Sequence, residues 1–294
     1  MSLTSLLDQR HIRQRVAEEF PCPQFVIDKP MVAQPRSNRY SLVGTAFDYL
    51  LRFYVKRLNP GAIEREWVAK EVVQSLDPLD DTDWEVLKIA RSVVVDAVGN
   101  VHNYLTSGRV TRTLLHSCLQ LAQLDVIYRA GYVDPNVGVV HEEDVDDLKK
   151  LIGAVDPTPF KAQSICVLNP TFGTASRLVG GADADLVVDG TLIDVKTTKR
   201  PKLQREQYHQ LIGYYALHRL DGVFGYPRRR RITTLGVYFS RYGVLWTVRV
   251  RDVIREARFI PFLRWFRRQA NLDKEKDICE ILDLPVYETS RQGA

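Results

Sequence analysis

The stretch GGADADLVVDGTLIDVKTT, Gly180–Thr198, sets Asp183, Asp185, Asp194 and Lys196 at two-residue spacings on either side of an Asp-Gly pair. Asp189-Gly190 is a strong two-residue hairpin signal, because a type I′ turn needs positive φ at both central residues. The flanks, 182–188 and 191–197, have strand length and are rich in β-branched residues. With Asp189 and Gly190 as the loop, Val188 faces Thr191, Val187 faces Leu192, Asp185 faces Asp194 and Asp183 faces Lys196. Side chains alternate along a strand, so the four polar groups are expected on one face. Leu186 and Ile193 are assigned to that face nearer the turn, and Val187, Leu192 and Val195 to the other, towards a core.

Two carboxylates directly opposite each other lie roughly 5 Å apart at Cβ, which is destabilising. A divalent cation offsets that cost, since Mg²⁺ and Mn²⁺ take carboxylate oxygens and keep several waters. The alternative is a solvated face with one Asp183–Lys196 ion pair. Asp is a poor strand residue, yet three occur here, and their neighbours are apolar. That pattern predicts a strand buried on both sides rather than a surface hairpin.

The 294 residues suffice for one large domain or two small ones, and 45% hydrophobic with 26% charged content is that of a globular chain. No apolar run approaches the ~20 residues of a membrane span, so no membrane partner is expected. The N-terminus lacks the apolar core of a signal peptide, which makes a cytoplasmic location the default. Cys22, Cys118, Cys166 and Cys279 are dispersed, without zinc spacing. Neither a disulfide nor zinc is expected, and Cys118 reads as a small core residue.

The net charge of +5 is unevenly spread: Lys199–Arg268 carries +13 and the remainder −8. A basic surface next to a carboxylate cluster suits a polyanion, nucleic acid first. Lys199, Arg200 and Lys202, the run Arg228, Arg229, Arg230 and Arg231, and Arg264, Arg267 and Arg268 are the candidate phosphate contacts. For the four-arginine run the alternative is a solubilising loop.

Along the chain, residues 1–40 read as an N-terminal helix and a Pro-rich connection, and 41–59 as a helix with the apolar stripe Phe47, Leu50, Leu51 and Tyr54. Residues 60–155 read as helical throughout, with a capping box at Thr82–Glu85 and a helix stop at Gly131. Residues 156–270 hold a short strand at 164–168, the Asp/Lys hairpin, a helix over 201–220, a second hairpin around Arg241-Tyr242-Gly243 and a basic helix interrupted at Pro261. Residues 271–294 form a polar tail. The order predicts an α/β fold: a mixed central sheet flanked by helices, with an all-helical insertion.

Three further groups enter the argument. Asp48 follows Gly44 by one helical turn, and that glycine is read as making room for something close; Asp48 is then a further metal ligand or a solvated helix acid. Gln207, Gln210 and Tyr214 share a helix face and suit orientation of a phosphate or of Lys196. The six histidines join no Ser, Cys or HExxH motif and read as structural or exposed. Neither a phosphate-binding GxxxxGK[ST] loop nor a GxSxG elbow occurs.

Taken together, these residues resemble the PD-(D/E)XK nuclease superfamily, in particular its RecB-like and Cas4-like branch. GGADADLVV followed by LIDVKTT is similar to the branch's Gly–Asp strand and Asp-x-Lys, GTAFD (Gly44–Asp48) to its upstream helix motif, and QLIGYYALHR to its Gln-xxx-Tyr motif. The resemblance covers roughly 41–57 and 160–250. It implies a restriction-endonuclease-like fold and a Mg²⁺- or Mn²⁺-dependent deoxyribonuclease, exo- or endonucleolytic. Asp185, Asp194 and Lys196 are the implied catalytic residues, with Gln210 and Tyr214 in support. Asp48, Asp185, Asp194 and the backbone carbonyl of Val195 are the implied metal ligands, with Asp183 and Gln207 as further candidates. Asp48 stands where the family commonly has His. The cysteines lack the branch's iron–sulfur pattern, so no cluster is expected. Single- or double-stranded DNA is the expected partner, in repair or phage defence. Without helicase motifs, any helicase-coupled role needs a separate helicase, repair or defence subunit. The alternative is a non-catalytic DNA-binding or assembly subunit that keeps the fold.

Overall fold

In the computed structural model, which describes residues 2–75, 81–130 and 137–281, the Asp189-Gly190 turn has φ of +46° and +89°. Both central residues are left-handed, as a type I′ hairpin requires. Strand β3 (Leu186–Val188) and strand β4 (Thr191–Lys196) then pair antiparallel, with Val188 opposite Thr191, Val187 opposite Leu192 and Leu186 opposite Ile193. This is the expected register. The Asp189 carboxylate has a second task that the turn reading did not include. It accepts the backbone N–H groups of Gln163 (2.5 Å), Ser164 (2.9 Å) and Ile165 (3.0 Å). These bonds hold its pKa down to about 2 despite the opposing pull of burial, and they tie the turn to the start of the neighbouring strand.

The chain begins with helices α1 (Leu3–Asp8) and α2 (Arg10–Glu19), divided by an extended Gln9, and continues into α3 (Tyr40–Leu58). Strand β1 (Ile63–Glu64) precedes α4 (Val68–Ser75), α5 (Asp81–Ser107), α6 (Arg112–Ala130) and α7 (Glu142–Gly153). Strand β2 (Cys166–Leu168) and α8 (Thr174–Leu178) lead to β3 and β4. Helix α9 (Arg205–Asp221), strands β5 (Thr234–Phe239) and β6 (Val244–Arg249), α10 (Val250–Val253) and α11 (Glu256–Ile281) complete the order. Among the described residues six strands form one mixed sheet in the order β1 to β6, parallel at β1–β2 and β4–β5 and antiparallel elsewhere.

Helices cover both faces. On one, Leu186, Val188, Ile193 and Tyr238 pack in a core with residues of α3, α6 and α7, with Val195 against its edge. On the other, Val187, Leu192, Leu235, Val237 and Phe239 pack with α1, α2, α8, α9 and α11. The assignment of sheet faces therefore needs correction. Alternation puts Val187 and Leu192, not Leu186 and Ile193, on the α9 side with Asp194 and Lys196. The hairpin is buried on both sides, as its apolar neighbours implied.

Phe47, Leu50 and Leu51 of α3 are fully buried, and so are Tyr49 and Phe53. Each such side chain contributes about 1.5–3 kcal/mol of burial, which makes α3 the spine of its layer rather than a helix with one wet face. Gly44 does not provide a close approach: a Cβ there would meet Thr197 Cβ at 3.7 Å, ordinary contact. Cys118 lies in this core, and burial raises its thiol pKa.

Two more expectations change. Residues 60–155 are not helical throughout, because β1 joins the sheet beside β2. Pro261 does not interrupt the C-terminal helix but lies within α11. The helix begins only at Glu256, so Pro261 costs it one hydrogen bond near its start. The side chains of Thr82 and Glu85, Gly131, and residues 282–294 lie outside the described residues. The second hairpin forms as expected, with Gly243 left-handed after Arg241.

Arg241 is fully buried. Its guanidinium meets the Asp147 carboxylate of α7 through two bonds (2.8 and 3.0 Å) and donates to the Ala33 carbonyl at 3.0 Å. Asp144 of α7 accepts from Ser37 Oγ (2.6 Å) and Arg39 Nε (2.7 Å), just ahead of α3. The acidic helix α7 thus clamps the N-terminal connection and the sheet together.

Candidate functional site

The site residues gather where β4 ends, between α3 on one face and α9 on the other. Asp194 is 2% exposed, and its Oδ2 is 2.8 Å from Lys196 Nζ. Lys196 Nζ also donates to Gln210 Oε1 at 2.9 Å, and Gln210 Nε2 donates to Tyr214 Oη at 2.7 Å. Gln210 and Tyr214 are one turn apart on α9, so the helix delivers both to the lysine. Tyr214 stacks on Phe172 with ring centroids 5.5 Å apart. Burial raises its phenol well above the usual range, reinforced by Asp194, Asp185 and Asp183. It stays a neutral hydrogen-bonding group.

Asp185 lies one residue before β3 starts. Its Oδ2 accepts the Val195 N–H at 2.5 Å, which locks it across the hairpin beside Asp194. Burial, then Asp48, then Asp194 raise its pKa well above the carboxylate range. Burial likewise raises that of Asp194, against the pull of Lys196. Burial opposes the Lys196 ammonium, but Asp194 and Asp185 more than offset it, and its pKa is raised. Lys196 is a cation here.

Asp48 reaches this group from α3, within electrostatic range of Asp185, Asp194 and Lys196. Its Oδ2 is 2.9 Å from Nη2 of Arg52, one turn on. Arg52 is 3% exposed, and its guanidinium lies 4.3 Å over the Tyr49 ring. Tyr49 in turn donates to the buried Asp125 of α6 at 2.5 Å and accepts the Ala69 N–H. Arg52 is the functional-site residue that the motif reading missed. Its signal was present: amid the apolar run of α3, an arginine four residues after an acid is an i,i+4 pair.

Two sequence candidates stand elsewhere. Asp183 does not face Lys196. The β3–β4 ladder stops at Leu186–Ile193, and Asp183 instead makes a bridge with Thr171, beyond β2. Gln207 is engaged in a capping box at the start of α9, accepting the Gln204 N–H at 2.9 Å. It shares a helix face with Gln210 but serves the helix end.

The basic candidates divide. Lys199, Arg200 and Lys202 follow β4 directly at the carboxylate end. Lys199 Nζ donates to Tyr40 Oη at 3.0 Å at the start of α3. Arg228 to Arg231 lie at the opposite end of the sheet, near the hairpin tip, where Tyr226 Oη donates to the Arg231 carbonyl and Thr233 N–H to the Gly190 carbonyl. Arg264, Arg267 and Arg268 are exposed on α11, whose Phe259, Phe262 and Phe266 are buried.

Compared with known proteins, the chain matches no family model, no curated protein and no solved structure. Among the described residues, no helix is long and apolar enough to cross a membrane. Nor, among them, is any group of three or more His, Cys, Asp or Glu side chains arranged to hold a metal ion. The donor chemistry nonetheless suits one. Three carboxylates (Asp48, Asp185 and Asp194) lie within electrostatic range of one another beside two cations (Lys196 and Arg52), and burial first, then Asp48 and Asp194, raises the pKa of Asp185. A hard divalent cation is the partner that oxygen donors of this kind take.

Proposed function

We propose that this protein is a metal-dependent nuclease of the PD-(D/E)XK type that hydrolyses phosphodiester bonds of DNA, on a restriction-endonuclease-like fold. The observation that carries the reading is the convergence of Asp185, Asp194 and Lys196 at one strand end. There the lysine is fixed by both an acid and the Gln210–Tyr214 pair. Such a cluster is costly for a purely structural role, because each buried charge must be desolvated.

In this reading Asp185 and Asp194 hold Mg²⁺ or Mn²⁺, with Asp48 joining directly or through water once it shares its carboxylate with Arg52. A divalent ion bound there supplies Lewis acidity toward the phosphate and eases deprotonation of water. The chain's own contribution is charge and position. Lys196, held cationic, stabilises the negative charge that develops as water oxygen bonds to phosphorus and the P–O ester bond breaks. Gln210 and Tyr214 hold the ammonium in place, so little reorganisation is needed at the transition state. Lys199, Arg200 and Lys202, at the same end of the sheet, bind the flanking phosphates.

The test is incubation of the wild-type protein and Lys196→Ala with labelled single- and double-stranded DNA in Mg²⁺, Mn²⁺ or EDTA. Cleavage should require the metal and vanish in the variant, while DNA affinity changes by about a few-fold at most, since one charge among many adds little to polyanion binding. Binding without cleavage in either ion would replace this reading with a non-catalytic DNA-binding subunit. Unchanged cleavage in Lys196→Ala would remove that lysine from the chemistry.

A further inference from the structure

We propose that the cleft between the C-terminal end of α9, the 222–234 connection and the β6–α10 junction binds a phosphorylated organic anion of nucleotide size. The cleft has a volume of about 1000 Å³, the upper end of the range for small-molecule sites. It is separate from the carboxylate site. Along α9 the nine steps from Gln210 to Arg219 span ~14 Å at 1.5 Å per residue. The same separation appears on the sheet, where Thr234 pairs with Thr191 at the turn end of β4, while Lys196 pairs with Phe239 at the other end.

Six arginines line it: Arg219, Arg228, Arg230, Arg231, Arg249 and Arg251. Three carboxylates answer them. Glu256 takes Arg219 (2.6 Å), Asp221 takes Arg228 (3.1 Å) and Asp252 takes Arg249 (2.7 Å), with Arg251 at 3.8 Å from the same Asp252. Arg230 donates to a neutral partner, Ser164 Oγ, at 2.6 Å. No ion pair joins Arg230 or Arg231 to a carboxylate among the described residues. The cleft therefore holds an excess of three positive charges, on planar donors whose fork geometry matches phosphate oxygens.

The floor distinguishes this cleft from a simple basic track. Val223, Tyr226, Ile232 and Ile254 line it and are buried, as is Tyr215 on α9. A nucleic-acid backbone lying across the surface would leave such a floor unused, whereas a compact ligand with a flat organic part covers it. His218 also lines the cleft, and its Nδ1 is buried with no hydrogen-bond partner among the described residues. Burial, helped by Arg219, pushes its pKa down to about 4. At neutral pH it is an uncharged imidazole, so it adds no charge to the cleft. The connection that forms the rim is itself held, by Tyr226 N–H to the Val223 carbonyl (3.0 Å) and Arg230 N–H to the Pro227 carbonyl (2.9 Å).

The inference stands independently of the nuclease reading. Its test is calorimetric titration of the full chain in low salt with ATP, tripolyphosphate, adenosine and a 5′-phosphorylated single-stranded oligonucleotide. ATP should bind saturably below about 1 mM, and more tightly than either tripolyphosphate or adenosine, because both halves of the cleft contribute. The double variant Arg231→Gln/Arg251→Gln should weaken ATP about tenfold or more. Both residues are exposed, so its thermal midpoint should match wild type. Asp194→Asn should bind ATP as wild type does, which separates failure of this site from failure of the carboxylate site. The proposal falls if ATP does not saturate, if tripolyphosphate binds as well as ATP, if the double variant is unaffected, or if only the oligonucleotide binds. The last result would assign the arginines to a nucleic-acid path.

Discussion

Arg52→Met tests the physical core of the site reading. The guanidinium is 3% exposed, 2.9 Å from the Asp48 carboxylate, and stacked on Tyr49, which anchors Asp125 of α6. Methionine keeps much of the apolar stem and removes the charge. Asp48 is then left beside Asp185 and Asp194 without the guanidinium, in electrostatic range of Lys196. Breaking a buried pair by removing one partner costs about 3–5 kcal/mol. The Asp48 side chain is 24% exposed, so water screens part of the loss and about 3 kcal/mol is the appropriate figure. For a chain of this size that corresponds to a midpoint lowered by roughly 6 °C or more. Urea unfolding in EDTA measures it, as a lower midpoint concentration at unchanged slope. Asp48→Asn in the Arg52→Met background should cost far less than the two single losses imply, a coupling of about 2 kcal/mol. Mn²⁺ should stabilise Arg52→Met more than wild type, because a ligand that binds only the folded state adds stability with its affinity and Asp48 is then released for it. A loss under about 1 kcal/mol, or additivity within about 0.5 kcal/mol, would refute the reasoning.

Asp185→Asn should eliminate metal-dependent cleavage and Asp183→Asn only reduce it, because Asp185 alone of the two is locked beside Asp194. Activity surviving in the first and lost in the second would reverse the assignment. For DNA binding by Lys196→Ala, changing Lys199, Arg200 and Lys202 to Ser should flatten the slope of log affinity against log salt by ~2–3, since each phosphate contact contributes about 0.9. Changing Arg228 to Arg231 should leave that slope nearly intact, since they lie at the far end of the sheet; the opposite ranking would move the DNA path to that end. His209 is 3% exposed, and burial, with Arg205 next, lowers its pKa from 6.5 to about 4. The unfolded state therefore binds the proton first, so this stabilisation is complete above pH 6.5 and falls as the pH is lowered towards 4. Between pH 6.5 and about 5 the loss is on the order of 2 kcal/mol, read as a fall in urea midpoint that His209→Gln should diminish; equal pH dependence in both proteins would exclude His209.

Local chemistry made several features legible in advance. Asp189-Gly190 needs no distant partner to form its turn, and a two-residue loop dictates the register of the strands it joins. The turn at Arg241–Gly243 follows by the same logic, and the i,i+4 spacing of Gln210 and Tyr214 on one helix is a property of the helix itself. Other features needed the tertiary structure, because they depend on contacts far apart in sequence. Two-residue β1 becomes a strand only beside β2, a hundred residues later. The sequence places Arg241 only in a hairpin turn; that Asp147 of α7 and the Ala33 carbonyl enclose it depends on the tertiary structure. The register counted from the turn holds as far as Leu186–Ile193; beyond it Asp185 stays beside β4 through the Val195 N–H, and Asp183 bridges Thr171 instead. The basic stretch divides for a reason that composition cannot show. Between Lys199 and Arg228 the chain runs back along α9, the crossover that a parallel β4–β5 pair requires. The basic residues at the two ends of this stretch therefore lie at opposite ends of the sheet, one group beside the carboxylates and one around a cleft of its own.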